Sequence, residues 1–211
     1  MARSDRSSPA LGHSRSKSFL KSRLSFIGHS LGGLIIRGAL PYLEDYKDKM
    51  YTLATLMTPH IGIASIGQSA LMRTGISIYS RICPHFAVKE MSLRDAPNIE
   101  DCYLAKLSQA PGLEWFKHVL LFSTYQDNYI PYDSARIEMG AWSNNSGYKT
   151  QCKMVENILV KLETCNVVRI DLNIKTLKGS EKITGRKAHM IIIEDFLVQT
   201  LFVYFYCRYF C

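Results

Sequence analysis

The sequence holds six cysteines but no Cys-x-x-Cys pair, and no histidine stands at a zinc-like spacing from any of them. Zinc modules and thioredoxin-type redox motifs are therefore not expected, and the thiols are expected to be free, mostly buried, in a reducing compartment. The N-terminus lacks the apolar stretch of a signal peptide, so the sequon at Asn144 carries no weight. No apolar run reaches the roughly 20 residues that span a bilayer. The longest candidate, 196–211, is broken by Gln199 and Arg208. It is expected to be a buried terminal helix, with an interfacial, lipid-touching helix as the alternative. No internal repeat occurs.

Acidic residues are scarce at one end only. Before Leu24 there are six basic residues, Arg3, Arg6, Arg15, Lys17, Lys21 and Arg23, against Asp5 alone. That stretch carries most of the net charge of +8. Residues 1–22 are thus expected to be a basic, unfolded tail. With the rest of the chain near balance, no nucleic-acid partner is expected, and peripheral contact with anionic lipid is the sharper alternative for the tail. The remaining chain, 23–211, has ordinary globular composition, with 47% apolar and 21% charged residues over the full length.

Apolar runs at Leu24–Ile27, Tyr51–Met57, His118–Ser123 and Asn166–Leu172 predict strands. Helical spacing predicts helices after residue 30, over 132–139, over about 152–163, and at the C-terminus. Residues 63–112 resist assignment beyond helix-like spacing from Ile99 to Leu107, and their position suits a lid over a pocket. Strands alternating with helices predict a parallel sheet covered on both faces.

The most informative feature is Gly28-His29-Ser30-Leu31-Gly32, a G-x-S-x-G element between a strand and a helix. This turn is so sharp that its serine is strained, and Gly28 and Gly32 are expected where strand and helix pass too closely for side chains. Ser30 is lifted above the sheet edge, and the Leu31 N–H faces whatever Ser30 attacks. A serine hydroxyl needs a base, and an acid to orient that base. In chain order the two candidates are Asp127, in the loop Asp127-Asn128-Tyr129-Ile130-Pro131 after the third strand, and His189, between the last strand and the last helix. Asp133 is the reserve acid. His13, His29, His60, His85 and His118 lie at the wrong places in that order.

With those residues in place, Phe26–Gly33 resembles the Putative serine esterase family of lipase-like α/β-hydrolases. Thr58-Pro59-His60-Ile61-Gly62 is similar to a T-P-H-x-G loop of that family, a candidate pocket loop. The segment 127–139, with Tyr132, Ser134, Ala135, Arg136, Ile137 and Glu138, and the run Gly185-Arg186-Lys187-Ala188-His189 resemble the C-terminal esterase-like domain of a large eukaryotic family. The resemblance covers roughly residues 23–205. It implies an α/β-hydrolase fold, hydrolysis of a lipid or small carboxylic ester through an acyl-enzyme on Ser30, and no metal or organic cofactor. A cytoplasmic location, with membrane or lipid association as the alternative, is the matching expectation. The strands and His-Gly oxyanion loop that precede the elbow in this fold are not found upstream. The expectation is therefore an N-terminally truncated hydrolase domain, or else an inactive hydrolase-like interaction module.

Overall fold

The computed structural model describes residues 22–63, 86–173 and 185–211. Residues 1–21 of the expected tail (1–22), most of the early lid region (64–85) and the polar loop before Gly185 lie outside these residues. So do His13, His85 and Cys83.

Four strands form one parallel sheet in the order β1-β2-β3-β4: β1 Leu24–His29, β2 Met50–Leu56, β3 His118–Ser123 and β4 Asn166–Asp171. Each pairs with the next in sequence, with registers such as Phe26 on Leu53, Leu53 on Val119 and Val119 on Val167. Parallel neighbours need crossovers, and helices supply them. α1 (Leu31–Ala39) and a 3-10 segment (Leu40–Lys49) link β1 to β2. α2 (Phe86–Met91) and α3 (Tyr103–Gln109) precede β3. α4 (Tyr132–Arg136) and α5 (Lys149–Leu162) link β3 to β4. α6 (Arg186–Glu194) and α7 (Phe196–Tyr206) follow.

The two central strands are largely apolar, with only small polar residues such as Thr52 and Thr55 buried among them, because both of their faces are covered. Successive side chains alternate between faces. Leu53, Val119 and Leu121 join Leu34, Leu104, Val155 and Ile158 from α1, α3 and α5 in one core. Ala54, Leu56, Leu120 and Phe122 join Ile170 and Ile192 in a second core on the opposite face, with Val198, Phe202 and Tyr206 of α7 packed against it.

Several expectations need correction. The predicted helix over 132–139 stops at Arg136, because Ile137 turns left-handed (φ 55°). Arg136 is then held by ion pairs to Glu138 and Asp171. The expected lid region includes α3, which is not a lid: Leu104 and Leu107 are core residues, and Asn157 of α5 donates to Ser108 Oγ at 3.0 Å. The C-terminal helix forms but is not buried, for none of the residues of α7 is fully enclosed. Of the described free cysteines only Cys102 is buried, while Cys207 and Cys211 are exposed.

Candidate active site

β1 ends in His29, and Ser30 has φ 53° and ψ −123° before α1 starts at Leu31. A non-glycine residue in this region is strained by of order 1–3 kcal/mol, a cost tolerated where surrounding structure over-determines the turn. Here the Ser30 N–H donates to the Leu56 carbonyl at 2.8 Å and the Gly33 N–H donates to the Ser30 carbonyl at 3.2 Å. The turn is thus pinned to β2 on one side and to α1 on the other. The Ser30 side chain makes no capping bond to the helix.

The glycine reasoning holds at one position and moves at the other. A Cβ on Gly28 would stand 2.7 Å from the Gly33 backbone. At Gly32 nothing lies within 4 Å, so close approach does not demand glycine there. The tight position is Gly33, where a Cβ would meet Thr58 Oγ1 at 2.2 Å. The motif marks the turn, but which of two adjacent glycines faces the loop after β2 depends on how α1 is rotated.

Asp127 and His189 are 62 residues apart in sequence and in contact in space. His189 Nδ1 donates to Asp127 Oδ2 at 2.6 Å, with side chains 11% and 2% exposed respectively. The other carboxylate oxygen, Oδ1, accepts the N–H groups of Tyr129 (2.7 Å) and Ile130 (3.1 Å). These bonds fix the carboxylate before the imidazole arrives. The acid loop and the start of α6 are tied by the Gly185 N–H, which donates to the Gln126 carbonyl at 3.0 Å. A carboxylate only accepts, so Nδ1 of His189 carries the hydrogen and Nε2 holds the lone pair in the neutral ring.

His189 reaches the elbow through His29. The His29 Nε2–H donates to the His189 carbonyl at 2.9 Å, and the two rings lie 4.8 Å apart. Burial lowers the pKa of His29, opposed by its bond to that carbonyl. Among the described residues no hydrogen bond joins Ser30 Oγ to the His189 ring, so the structure brings His189 to the residue next to Ser30. Catalytic hydrogen bonds are commonly long or unformed without substrate. The reserve acid, Asp133, is engaged elsewhere: its Oδ2 accepts the Trp142 indole N–H at 2.9 Å.

Thr58, Pro59, His60 and Gly62 follow β2 and are all buried. His60 sits between two partners: Arg37 Nη1 is 3.3 Å from Nδ1, and Thr55 Oγ1 is 3.0 Å from Nε2. A guanidinium only donates, so Nδ1 accepts and Nε2–H donates to Thr55. Arg37 also donates to the carbonyls of His60 (3.0 Å) and Leu107 (3.2 Å). Sequence reasoning passed over Arg37 and Gly33, although an arginine inside the apolar helix Leu31–Ala39 and a glycine doublet were visible signals.

This loop has a consequence for acid stability. Burial, and then the Arg37 charge, hold His60 well below the ordinary histidine pKa. An unfolded histidine titrates near ~6.5. Below that pH the unfolded chain takes up a proton that the folded chain refuses. The stabilisation is therefore complete above ~6.5 and is lost as pH falls, by up to about 1.4 kcal/mol per pH unit. Urea midpoints are expected to fall between pH 7 and pH 5, with a shallower fall in His60→Gln. A flat profile in the parent chain would contradict this reading.

A parallel sheet flanked by helices, with a strained serine on a strand-to-helix elbow at the C-terminal edge, defines an α/β-hydrolase fold. The family model described as Putative serine esterase (DUF676) matches residues 10–145, and the chain belongs to that family. The matched segment holds Ser30 and Asp127, and His189 lies beyond it. Among solved structures, the chain is similar to a monoacylglycerol lipase from Paleococcus ferrophilus, at 16% identity and a TM-score of 0.36. That alignment covers 86% of this chain and 66% of the lipase, so the chain spans just under two thirds of the lipase's length.

Proposed function

We propose that this protein is a serine carboxylic-ester hydrolase acting on lipid esters, with Ser30 as nucleophile, His189 as base and Asp127 as the acid that orients it. The observation that carries the reading is the 2.6 Å bond from His189 Nδ1 to Asp127, set beside the strained elbow serine. It leaves Nε2 as the proton acceptor. Ser30 Oγ attacks the ester carbonyl as its proton passes to Nε2. The tetrahedral oxyanion is met by the Leu31 N–H at the start of α1. Its collapse breaks the bond to the alcohol, which leaves with the proton from His189. Water, deprotonated by His189, then attacks the acyl-enzyme, and Ser30 recovers its proton. No metal or organic cofactor enters this scheme. The described free thiols fit a reducing, cytoplasmic setting, with the ester met at a lipid surface.

A second reading is a hydrolase-like interaction module without turnover. The observation favouring it is that Ser30 Oγ and the His189 ring share no hydrogen bond among the described residues. A fluorophosphonate probe separates the two, because it labels only an activated serine. The folded parent chain is expected to label and Ser30→Ala is not. A folded parent that stays unlabelled would sink the hydrolase reading and favour the module.

A further inference from the structure

The outer side of α7 is the least expected surface of the molecule. Its inner side packs on the sheet, with Phe202 and Tyr206 at 5.2 and 5.0 Å from the Phe122 ring. Its outer side carries Phe196, Leu197, Leu201, Val203, Tyr204 and Phe205. Phe196 is 81% exposed and Tyr204 76%. A helix packed on a soluble core normally turns charged and polar residues outward. Contiguous exposed apolar surface of this kind marks an interaction site.

Two further observations say what covers it. The polar side chains on that outer side, Gln199 and Thr200, each donate to a backbone carbonyl, in α6 and in α7 respectively. Gln199 Nε2 donates to the Ile193 carbonyl and Thr200 Oγ1 to the Phe196 carbonyl, both at 2.8 Å. These bonds lessen the cost of carrying the two side chains into an apolar setting. Three exposed cations also gather at the C-terminal end of the helix. The Arg23 guanidinium lies 4.1 Å and the Lys117 ammonium 5.1 Å from the Tyr51 ring, whose hydroxyl donates to the Cys211 carbonyl at 3.1 Å. Arg208 lies over Tyr209. The acidic residues nearest the helix in sequence, Glu194 and Asp195, are at its other end, where Asp195 accepts the Val198 N–H.

We propose that the outer side of α7 docks in the headgroup region of an anionic bilayer, with Arg23, Lys117 and Arg208 on the acidic headgroups. In this proposal the helix lies in the surface: no single described helix is long and apolar enough to span a membrane, and only the α6–α7 pair taken together across its bend has that length and composition. Tyrosines suit that depth, with an apolar body and a wet hydroxyl. α6, which carries His189, meets α7 at a bend of 67°. Arg23 and Lys117 stand at the starts of β1 and β3, the edge of the sheet opposite Ser30 and Asp127, so docking through this end of α7 is independent of the esterase reading.

The test separates the two ideas, because docking needs no Ser30. Full-length Ser30→Ala is sedimented with phosphatidylcholine vesicles, with and without phosphatidylserine. Strong binding is expected only to the anionic vesicles. Leu197→Gln with Phe205→Gln, which leaves the inner packing untouched, is expected to abolish most of it. Each cation replaced by glutamine is expected to weaken binding roughly fivefold. Equal binding to both vesicles, or binding indifferent to the α7 substitutions, overturns the proposal. So does a stable dimer in light scattering that the double substitution dissociates, since the face would then belong to a second copy of the chain. Probe labelling of the parent with no vesicle binding would leave the esterase reading standing alone.

Discussion

Asp127→Asn is expected to lower kcat for ester hydrolysis by about 10⁴-fold while the chain stays folded. The substitution keeps Oδ1, which accepts the Tyr129 and Ile130 N–H groups and builds the loop. It replaces the oxygen 2.6 Å from His189 Nδ1 with an amide NH₂. Two donors would then face each other, so the ring relaxes to the tautomer with hydrogen on Nε2. That nitrogen can no longer take the Ser30 proton. The comparable change in chymotrypsin-type proteases costs about the same factor with geometry intact. The expected signature is a loss in kcat with KM little changed and an unaltered circular dichroism spectrum. Asp133→Asn, which weakens the contact to the Trp142 indole, is the control and is expected to leave kcat nearly unchanged. If Asp133→Asn and Asp127→Asn lost activity equally, the assignment of the acid would fail.

Arg37→Ala is expected to cost roughly 3–5 kcal/mol of stability. The estimate combines three orphaned acceptors, at about 1 kcal/mol or a little more each, with an unfilled cavity. Arg37 is fully buried, and burial pushes its pKa down to about 10, so it remains a cation at neutral pH. Its partners are the His60 and Leu107 carbonyls and the His60 ring. One side chain thereby ties α1 to the loop after β2 and to the end of α3. Against a typical total stability of about 5–15 kcal/mol, such a loss would lower Tm by roughly 10 °C or more. Arg37→Lys keeps the charge but not the planar fork, and is expected to recover only part. A Tm for Arg37→Ala within a degree or two of the parent would show that the buried contacts carry little.

Much of this architecture was legible in the chain. Val119–Phe122 is apolar without interruption and Leu53–Met57 is broken only by the small Thr55, which an ordinary half-exposed strand is not, and both prove to be central strands covered on two faces. The elbow was legible because its geometry is local: six consecutive residues define the turn, and glycine at 28 is needed within it. The acid loop was legible for a similar reason, since the Asp127 bonds to Tyr129 and Ile130 span only three residues.

Where sequence reasoning failed, the deciding contacts were distant. Leu104 and Leu107 became core and not lid because α5, some 50 residues later, lies over them. The C-terminal helix has enough apolar residues to look buried, but the sheet offers only one face to it. Residues such as Phe202 and Tyr206 fill that face and the others are left outside.

By itself, then, the sequence determined what nearest neighbours can dictate: the alternation of strands and helices, the strained turn at Ser30 and the order of serine, aspartate and histidine. Tertiary structure decided that Asp127 and not Asp133 holds His189, that Gly33 and not Gly32 abuts the loop after the second strand, and that His60 is sealed between Arg37 and Thr55. It also decided which side of the last helix is left uncovered. The physical reason is the same in each case. Backbone preference and hydrophobic period act over a few residues, whereas the partner of a buried polar group is set by how separate elements pack together.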